Sequence, residues 1–211
     1  LEEKLTQNEI LISVFAYFLG AIPFGYIIAK IISGEDIRKK GSGNIGATNV
    51  LRTQGAFYGF LTLFLDAAKA ALPVFLARYY GAHPWFPAFA GGVAVVGHCY
   101  PVYIGFKGGK GAASGLGAFL FIAPVTTLIA CGSFLVVIFS FGYVSVGSMV
   151  GSFVFVSVLW AFYFFKKSYD LYTCLIATFL ALLLVYRHRT NIRNLFEGKE
   201  KKIWEKDEKQ S

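Results

Sequence analysis

Residues 39–49, KKGSGNIGATN, combine glycines, a hydroxyl pair and amides with the cations Arg38, Lys39 and Lys40. Gly41, Gly43 and Gly46 let the backbone approach an anion closely. Ser42, Asn44, Thr48 and Asn49 add side-chain donors. A helix starting just beyond would aim backbone N–H groups at the same place. The chemistry this favours is phosphate binding, and its bland rival is a plain interhelical turn. The run also matches G-x-G-x-x-G, with Asp66 twenty residues after Gly46. A dinucleotide site needs a preceding strand, whereas a long apolar segment precedes this loop.

A second glycine loop is GFKGGKGAAS, residues 105–114. Lys107 and Lys110 stand among Gly108, Gly109 and their neighbours. This is not a Walker loop, because Ile104 lies where its first glycine belongs and Gly111 follows Lys110. A pair of snorkelling cations is the rival reading. A third group lies in HRTNIRNLFEGKE, residues 188–200. His188 and Asn191 share a helical face. They put a base or donor beside an amide, next to the guanidinium groups of Arg187, Arg189 and Arg193, which suit phosphate. The rival here is a basic segment touching lipid headgroups.

Other chemistry lacks its residues. The chain has no GxSxG, no HExxH and no paired-cysteine site, so neither a metal nor a cofactor is expected. It has no His-x4-Asp either, the dyad of most glycerolipid acyltransferases that use thioester donors. Cys99, Cys131 and Cys174 read as small apolar residues. His83 reads as chemically idle, and His98 as a helix-end hydrogen bonder with contact to the site as the rival.

The elements that must position these loops are membrane helices. The chain of 211 residues is 56% hydrophobic and 15% charged, against about 45–50% and about 25% in soluble domains. This predicts an all-α, polytopic membrane protein of one domain, 1–211, with a charged tail from about 188. The net charge of +8 speaks to orientation, and without a basic patch interleaved with aromatics no nucleic-acid partner is expected. About 20 apolar residues cross a bilayer. The expected spans are 10–32, retained rather than cleaved and bent at Pro23 and Gly25, then a helix over 46–80, then 85–104. Pro124 divides the next stretch into about 110–122 and 124–141. Spans 144–165, closed by Lys166 and Lys167, and 171–187 complete seven. Seven spans put both glycine loops, the turn at 143–145 and the tail on one side. Positive charge makes that side cytoplasmic and the N-terminus external, with Lys166 and Lys167 dissenting. Asp66 and Lys69, three apart, read as a neutralising structural pair, with a functional role for ionisable residues inside a span as the rival.

GSGNIGATN with Arg52, GHCYPVYIGFKGGKGAAS, and HRTNIRNLFEGKE together resemble the three cytoplasmic motifs of the bacterial acyl-phosphate:glycerol-3-phosphate acyltransferases, the PlsY family. The resemblance runs in order over about residues 10–202. It implies a seven-span inner-membrane enzyme with an external N-terminus and a cytoplasmic C-terminus. Its partners would be acyl phosphate, glycerol 3-phosphate and membrane lipid. It would move a fatty acyl group to the sn-1 hydroxyl, giving 1-acylglycerol 3-phosphate (lysophosphatidate) and phosphate, the first acylation of phospholipid synthesis.

By position, Ser42 and the glycine-rich backbone around it would hold phosphate. Arg52, Lys110 and Ser145 would clamp glycerol 3-phosphate. His188 and Asn191 would sit beside the reacting groups, Gly108 and Gly109 would shape the acyl-phosphate site, and Glu200 matches the motif glutamate. The chain departs from the pattern where Arg193 comes one place early and Asn194 fills the expected arginine position. A transporter for phosphate esters is the alternative from another class. It would place its site near the midplane between two repeats, and this sequence shows no repeat.

Overall fold

The computed structural model describes residues 4–166 and 168–205, and among them every regular element is a helix. The first span is α1 (Gln7–Gly20) and α2 (Phe24–Ser33). The break falls before Pro23, as its missing N–H demands. Thr6 and Glu9 form a capping box at the start of α1. The Glu9 carboxylate also accepts from the backbone N–H groups of Ala82 and His83 at 3.0 and 3.1 Å, and lies 2.8 Å from His83 Nδ1. This staples the start of α1 to the turn after α4. His83, expected to do no chemistry, holds a structural bond.

The single helix expected over 46–80 is two, α3 (Ala47–Gln54) and α4 (Ala56–Tyr80). Gly55 separates them at φ 97°, a conformation that favours glycine. The short polar α3 is thereby released from the direction of α4 and stays with the first loop. α5 (Phe86–Cys99) ends before Pro101, and a 3-10 turn, Val102–Ile104, carries the chain into the second glycine loop.

α6 (Ala112–Ile122) and α7 (Pro124–Phe141) divide at Ala123, as the proline predicts. Thr127 Oγ1 donates to the carbonyls of Phe119 and Ala123 at 2.9 and 2.8 Å, satisfying the end of α6 in apolar surroundings. α8 (Val144–Ala161) runs on into a π turn, Phe162–Lys166. Lys167 of the expected basic closure lies outside the described residues. α9 (Leu171–Arg187) and α10 (Arg189–Phe196) meet at a 50° bend.

Among the described residues, five helical stretches are long and apolar enough to cross a membrane, and the bent α9–α10 pair makes six. α6 is only 11 residues, roughly 16 Å, against a hydrocarbon core of about 30 Å. Phenylalanines such as Phe139 and Phe153 face outward, 81% and 73% exposed, as lipid-facing side chains do. Inside, small residues bring helices into backbone contact. A β-carbon at Gly97 would strike the Tyr17 carbonyl, and one at Gly117 would strike that of Ala67. α4 and α5 fill the centre, and α7 and α8 form a hairpin joined to them through α6 and α9.

Candidate active site

The first loop is organised by Asn49. Placed in the first turn of α3 and buried, it accepts from the Ser42 N–H at 2.9 Å through Oδ1. Its Nδ2 donates to the carbonyls of Asn44 at 2.8 Å, Lys40 at 3.0 Å and Ile37 at 3.3 Å. Asn49, expected as a donor to an anion, has its amide occupied in shaping the loop. Asn44 Oδ1 similarly accepts from the Gly46 N–H at 2.8 Å. Arg38 is held by Asp36 at 2.7 Å and Lys40 by Glu35 at 2.6 Å. The Arg38 guanidinium in turn keeps the Asp36 carboxyl down at about 2.

The second loop is clamped from both sides. Gly109 N–H donates to the His98 carbonyl at 3.0 Å. From α9, Arg187 donates through Nε to the Gly109 carbonyl at 3.0 Å and through Nη2 to that of Gly108 at 2.8 Å. Its guanidinium also stacks 5.1 Å from the centre of the Tyr100 ring. Arg187, read from sequence as one of the phosphate-suited groups, is therefore occupied by the loop. The helix-end bond expected of His98 is made by its backbone carbonyl, while its ring Nδ1 has no hydrogen-bond partner among the described residues. A β-carbon at Gly108 would strike the His98 carbonyl and one at Gly109 the His98 ring. Close packing thus dictates glycine at both positions.

These loops deliver Lys110 to a polar cluster. Lys110 Nζ donates to Asn191 Oδ1 at 2.6 Å. Asn191 Nδ2 donates to Glu200 Oε1 at 2.7 Å, and Ser145 Oγ donates to the same oxygen at 2.6 Å. Arg52 reaches the tail through Nη2, which donates to the Lys201 carbonyl at 2.8 Å. Its buried Nε has no partner among the described residues. The tail returns to the α7–α8 turn, where Ile203 N–H donates to the Gly142 carbonyl at 2.8 Å. Trp204 lies against Gly142, where a β-carbon would not fit.

Burial pushes Lys110 down to about 8, with Glu200 opposing and Arg52 and Arg187 assisting. His188, at the α9–α10 bend, lies 2.8 Å from the Leu184 carbonyl through Nδ1. A carbonyl only accepts, so Nδ1 carries the proton and Nε2 is left as an acceptor. Burial first, and then the charge of Lys110, push His188 down to about 4. It is neutral near pH 7.

Two cavities meet here. One, about 440 Å³, runs between α6, α7, α8 and α9 past apolar side chains including Leu116, Phe119, Phe134 and Phe155; Gly46 and Thr48 also line it. The other, about 810 Å³, is an open vestibule lined by Gly41, Gly43, Lys39, Lys107, Gly108 and Arg189 among others. Ser42, Asn44, Arg52, Lys110, Asn191 and Glu200 line both. Ser145 and His188 face the apolar side of this junction. The arrangement can receive a phosphorylated polar molecule from one side and a hydrocarbon chain from the other.

Arg193 stands apart. Its side chain is 77% exposed, pairs with Glu197 at 2.8 Å and lines neither cavity. Its position on α10 turns it away from both. Asn194 lines the vestibule instead, so the one-place shift exchanges a cation for an amide there. Asp66 and His98, for which sequence reasoning favoured structural roles over contact with the site, line the apolar cavity. The ionisable type of Asp66 within an apolar run was the available signal.

The glycerol-3-phosphate acyltransferase family model matches residues 10–198. A glycerol-3-phosphate acyltransferase of Thermosipho melanesiensis is 46% identical over 195 residues, covering 92% of each chain. One from Aquifex aeolicus is 40% identical over 196 residues, covering 92% of this chain and 98% of its own. The crystal structure of PlsY, an integral membrane glycerol 3-phosphate acyltransferase, in its glycerol 3-phosphate form is similar with a TM-score of 0.85 at 38% identity, covering 92% of this chain and 94% of that one. Its lysophosphatidic acid form gives a TM-score of 0.82 at 36% identity over the same shares.

Proposed function

This chain belongs to the glycerol-3-phosphate acyltransferase family, and from that premise we propose that it transfers a fatty acyl group from acyl phosphate to the sn-1 hydroxyl of glycerol 3-phosphate. The products are 1-acylglycerol 3-phosphate and phosphate. The observation that carries this reading is the junction, where a cationic vestibule and an apolar cavity share Ser42, Arg52, Lys110, Asn191 and Glu200. A soluble polyol phosphate meets there a donor whose chain lies among the helices.

In this reading Arg52, Lys110 and Ser145 hold glycerol 3-phosphate. The Ser42 hydroxyl and Lys107 hold the acyl phosphate between the walls formed by loops 41–46 and 107–109, and Thr48 flanks it. Asn191 and Glu200 orient Lys110 and Ser145. The sn-1 oxygen attacks the acyl carbon, the bond from that carbon to the phosphate oxygen breaks, and the hydroxyl proton leaves on the released phosphate. An acyl phosphate is a mixed anhydride with a good leaving group, so the step needs no covalent nucleophile. Neutral His188, with Nε2 open as an acceptor, orients the glycerol backbone and leaves the sn-1 proton directed at the phosphate. A group held near a pKa of about 4 is a weak base at pH 7, where a general base works best with a pKa near the operating pH. That supports positioning by His188 and proton transfer to the substrate.

The topology in this reading has seven spans, with α6 as a short crossing that turns at Ala123. The N-terminus is external, the C-terminus cytoplasmic, and the chain sits in the bacterial inner membrane. The basic vestibule supports a cytoplasmic site by the positive-inside rule. The test is phosphate release by the purified protein given acyl phosphate and glycerol 3-phosphate, beside parallel assays with acyl-CoA and acyl carrier protein. Turnover with acyl phosphate alone is expected. Efficient turnover with acyl-CoA would refute the donor assignment.

A further inference from the structure

Asp66 and Lys69 do more than neutralise each other. Lys69 Nζ lies 2.7 Å from Asp66 Oδ1, and their side chains are 1% and 2% exposed. The same Nζ donates to the Ile22 carbonyl at 2.7 Å, at the break between α1 and α2. Mutual neutrality accounts for the pair within apolar helices. It does not account for the third member. His98, also buried, brings Nδ1 to 3.6 Å from Asp66 Oδ1. Asp66 has no other hydrogen-bond donor among the described residues beyond the Lys69 ion pair.

The imidazole bears on the second glycine loop. Its Nε2 edge faces Gly109 so closely that even a methyl group there would collide. The His98 carbonyl also holds the Gly109 N–H at 3.0 Å. The next residue is Lys110, which must reach Asn191. A continuous contact therefore runs from Asp66 through His98 and Gly109 to Lys110. Arg187 braces the loop from the other side through the Gly108 and Gly109 carbonyls.

We propose that Asp66 and His98 are positioning residues for acyl transfer, setting the seat of loop 108–111 and hence the reach of Lys110 to the phosphate of glycerol 3-phosphate. The proposal rests on Lys110 being a phosphate clamp, as argued above. Asp66 acts through the His98 ring, which acts through the Gly109 backbone. Outright loss of one charge-assisted phosphate contact costs roughly 10- to 150-fold in kcat/KM, so a shift in the seat of Lys110 has a measurable effect.

The discriminating variant is Asp66→Asn combined with Lys69→Gln. If the pair served neutrality alone, removing both charges would restore whatever either single change damages. The proposal expects the double variant to recover thermal stability in detergent but to keep a KM for glycerol 3-phosphate raised about ten-fold or more, with kcat within about three-fold. It also expects faster hydrogen exchange at amides 105–111. A wild-type KM together with wild-type exchange overturns it. A raised KM with wild-type exchange overturns it too, because the loop is then not the route. Faster exchange with an unchanged KM severs the link to Lys110 and overturns it. Lys110→Ala in the same assay then shows whether the functional reading fails as well. His98→Gln, which leaves the Asp66–Lys69 pair intact, is read by the same two measurements and settles the matter should the double variant not fold.

Discussion

Ser145 Oγ donates to Glu200 Oε1 at 2.6 Å across 55 residues of chain, joining the start of α8 to the tail. The same carboxylate oxygen accepts from Asn191 at 2.7 Å, and Asn191 accepts from Lys110 at 2.6 Å. One charge therefore orders three neighbours. Glu200→Gln keeps the shape and removes the charge. A hydrogen bond to a charged group contributes about 1.5–3 kcal/mol, so kcat/KM should fall roughly 10- to 150-fold. Steady-state kinetics on variant protein of unchanged thermal stability checks this.

Lys110→Ala and Arg52→Ala should act chiefly on glycerol 3-phosphate. Each removes one charge-assisted phosphate contact, again about 1.5–3 kcal/mol or roughly 10- to 150-fold in kcat/KM. Separate titrations of the two substrates decide it. An unchanged glycerol 3-phosphate KM and kcat/KM would show that the clamp lies elsewhere.

The lowered pKa of Lys110, about 8, fixes the sign of the alkaline response. The cation is the form that grips phosphate, and it is lost as pH rises through that value. The kcat/KM for glycerol 3-phosphate should therefore fall above about pH 8 in the free enzyme. Lys110→Arg, which stays charged, should move the limb to higher pH even where activity drops. A limb unmoved in that variant assigns the titration to another group.

His188→Gln retains a polar side chain and cannot act as a base near pH 7. A positioning role predicts a loss of about 10- to 100-fold. The measurement is kcat against pH for both proteins. A loss beyond about 10⁴-fold, with disappearance of an acidic limb, would make His188 the base.

The helical class, the Pro23 and Pro124 breaks and the three polar stretches were legible because each is written locally. Proline removes a donor wherever it stands, and clustered cations must find anion or water. What was not legible depended on partners far along the chain. Asn49 looks like a free donor until its contacts with Lys40 and Asn44 are seen. Arg193 and Asn194 differ by one position, and only the orientation of α10 decides which of them meets the vestibule. The Gly55 break was hidden because glycine is tolerated within helices at modest cost, so composition alone did not distinguish a passing glycine from one at φ 97°.

The returning tail has a consequence in time. Ser42 and Arg52 come early in the chain, whereas Glu200 and the Lys201 carbonyl that Arg52 binds come some 150 residues later. At about 5–20 residues per second of synthesis, the first loop is made several seconds before its counterparts. The membrane helices can insert in order as they emerge, yet the junction stays open until the tail folds back onto Gly142. In the proposed reading, a nascent chain is thus already anchored in the bilayer before the tail supplies Glu200, and competence waits for the tail's return.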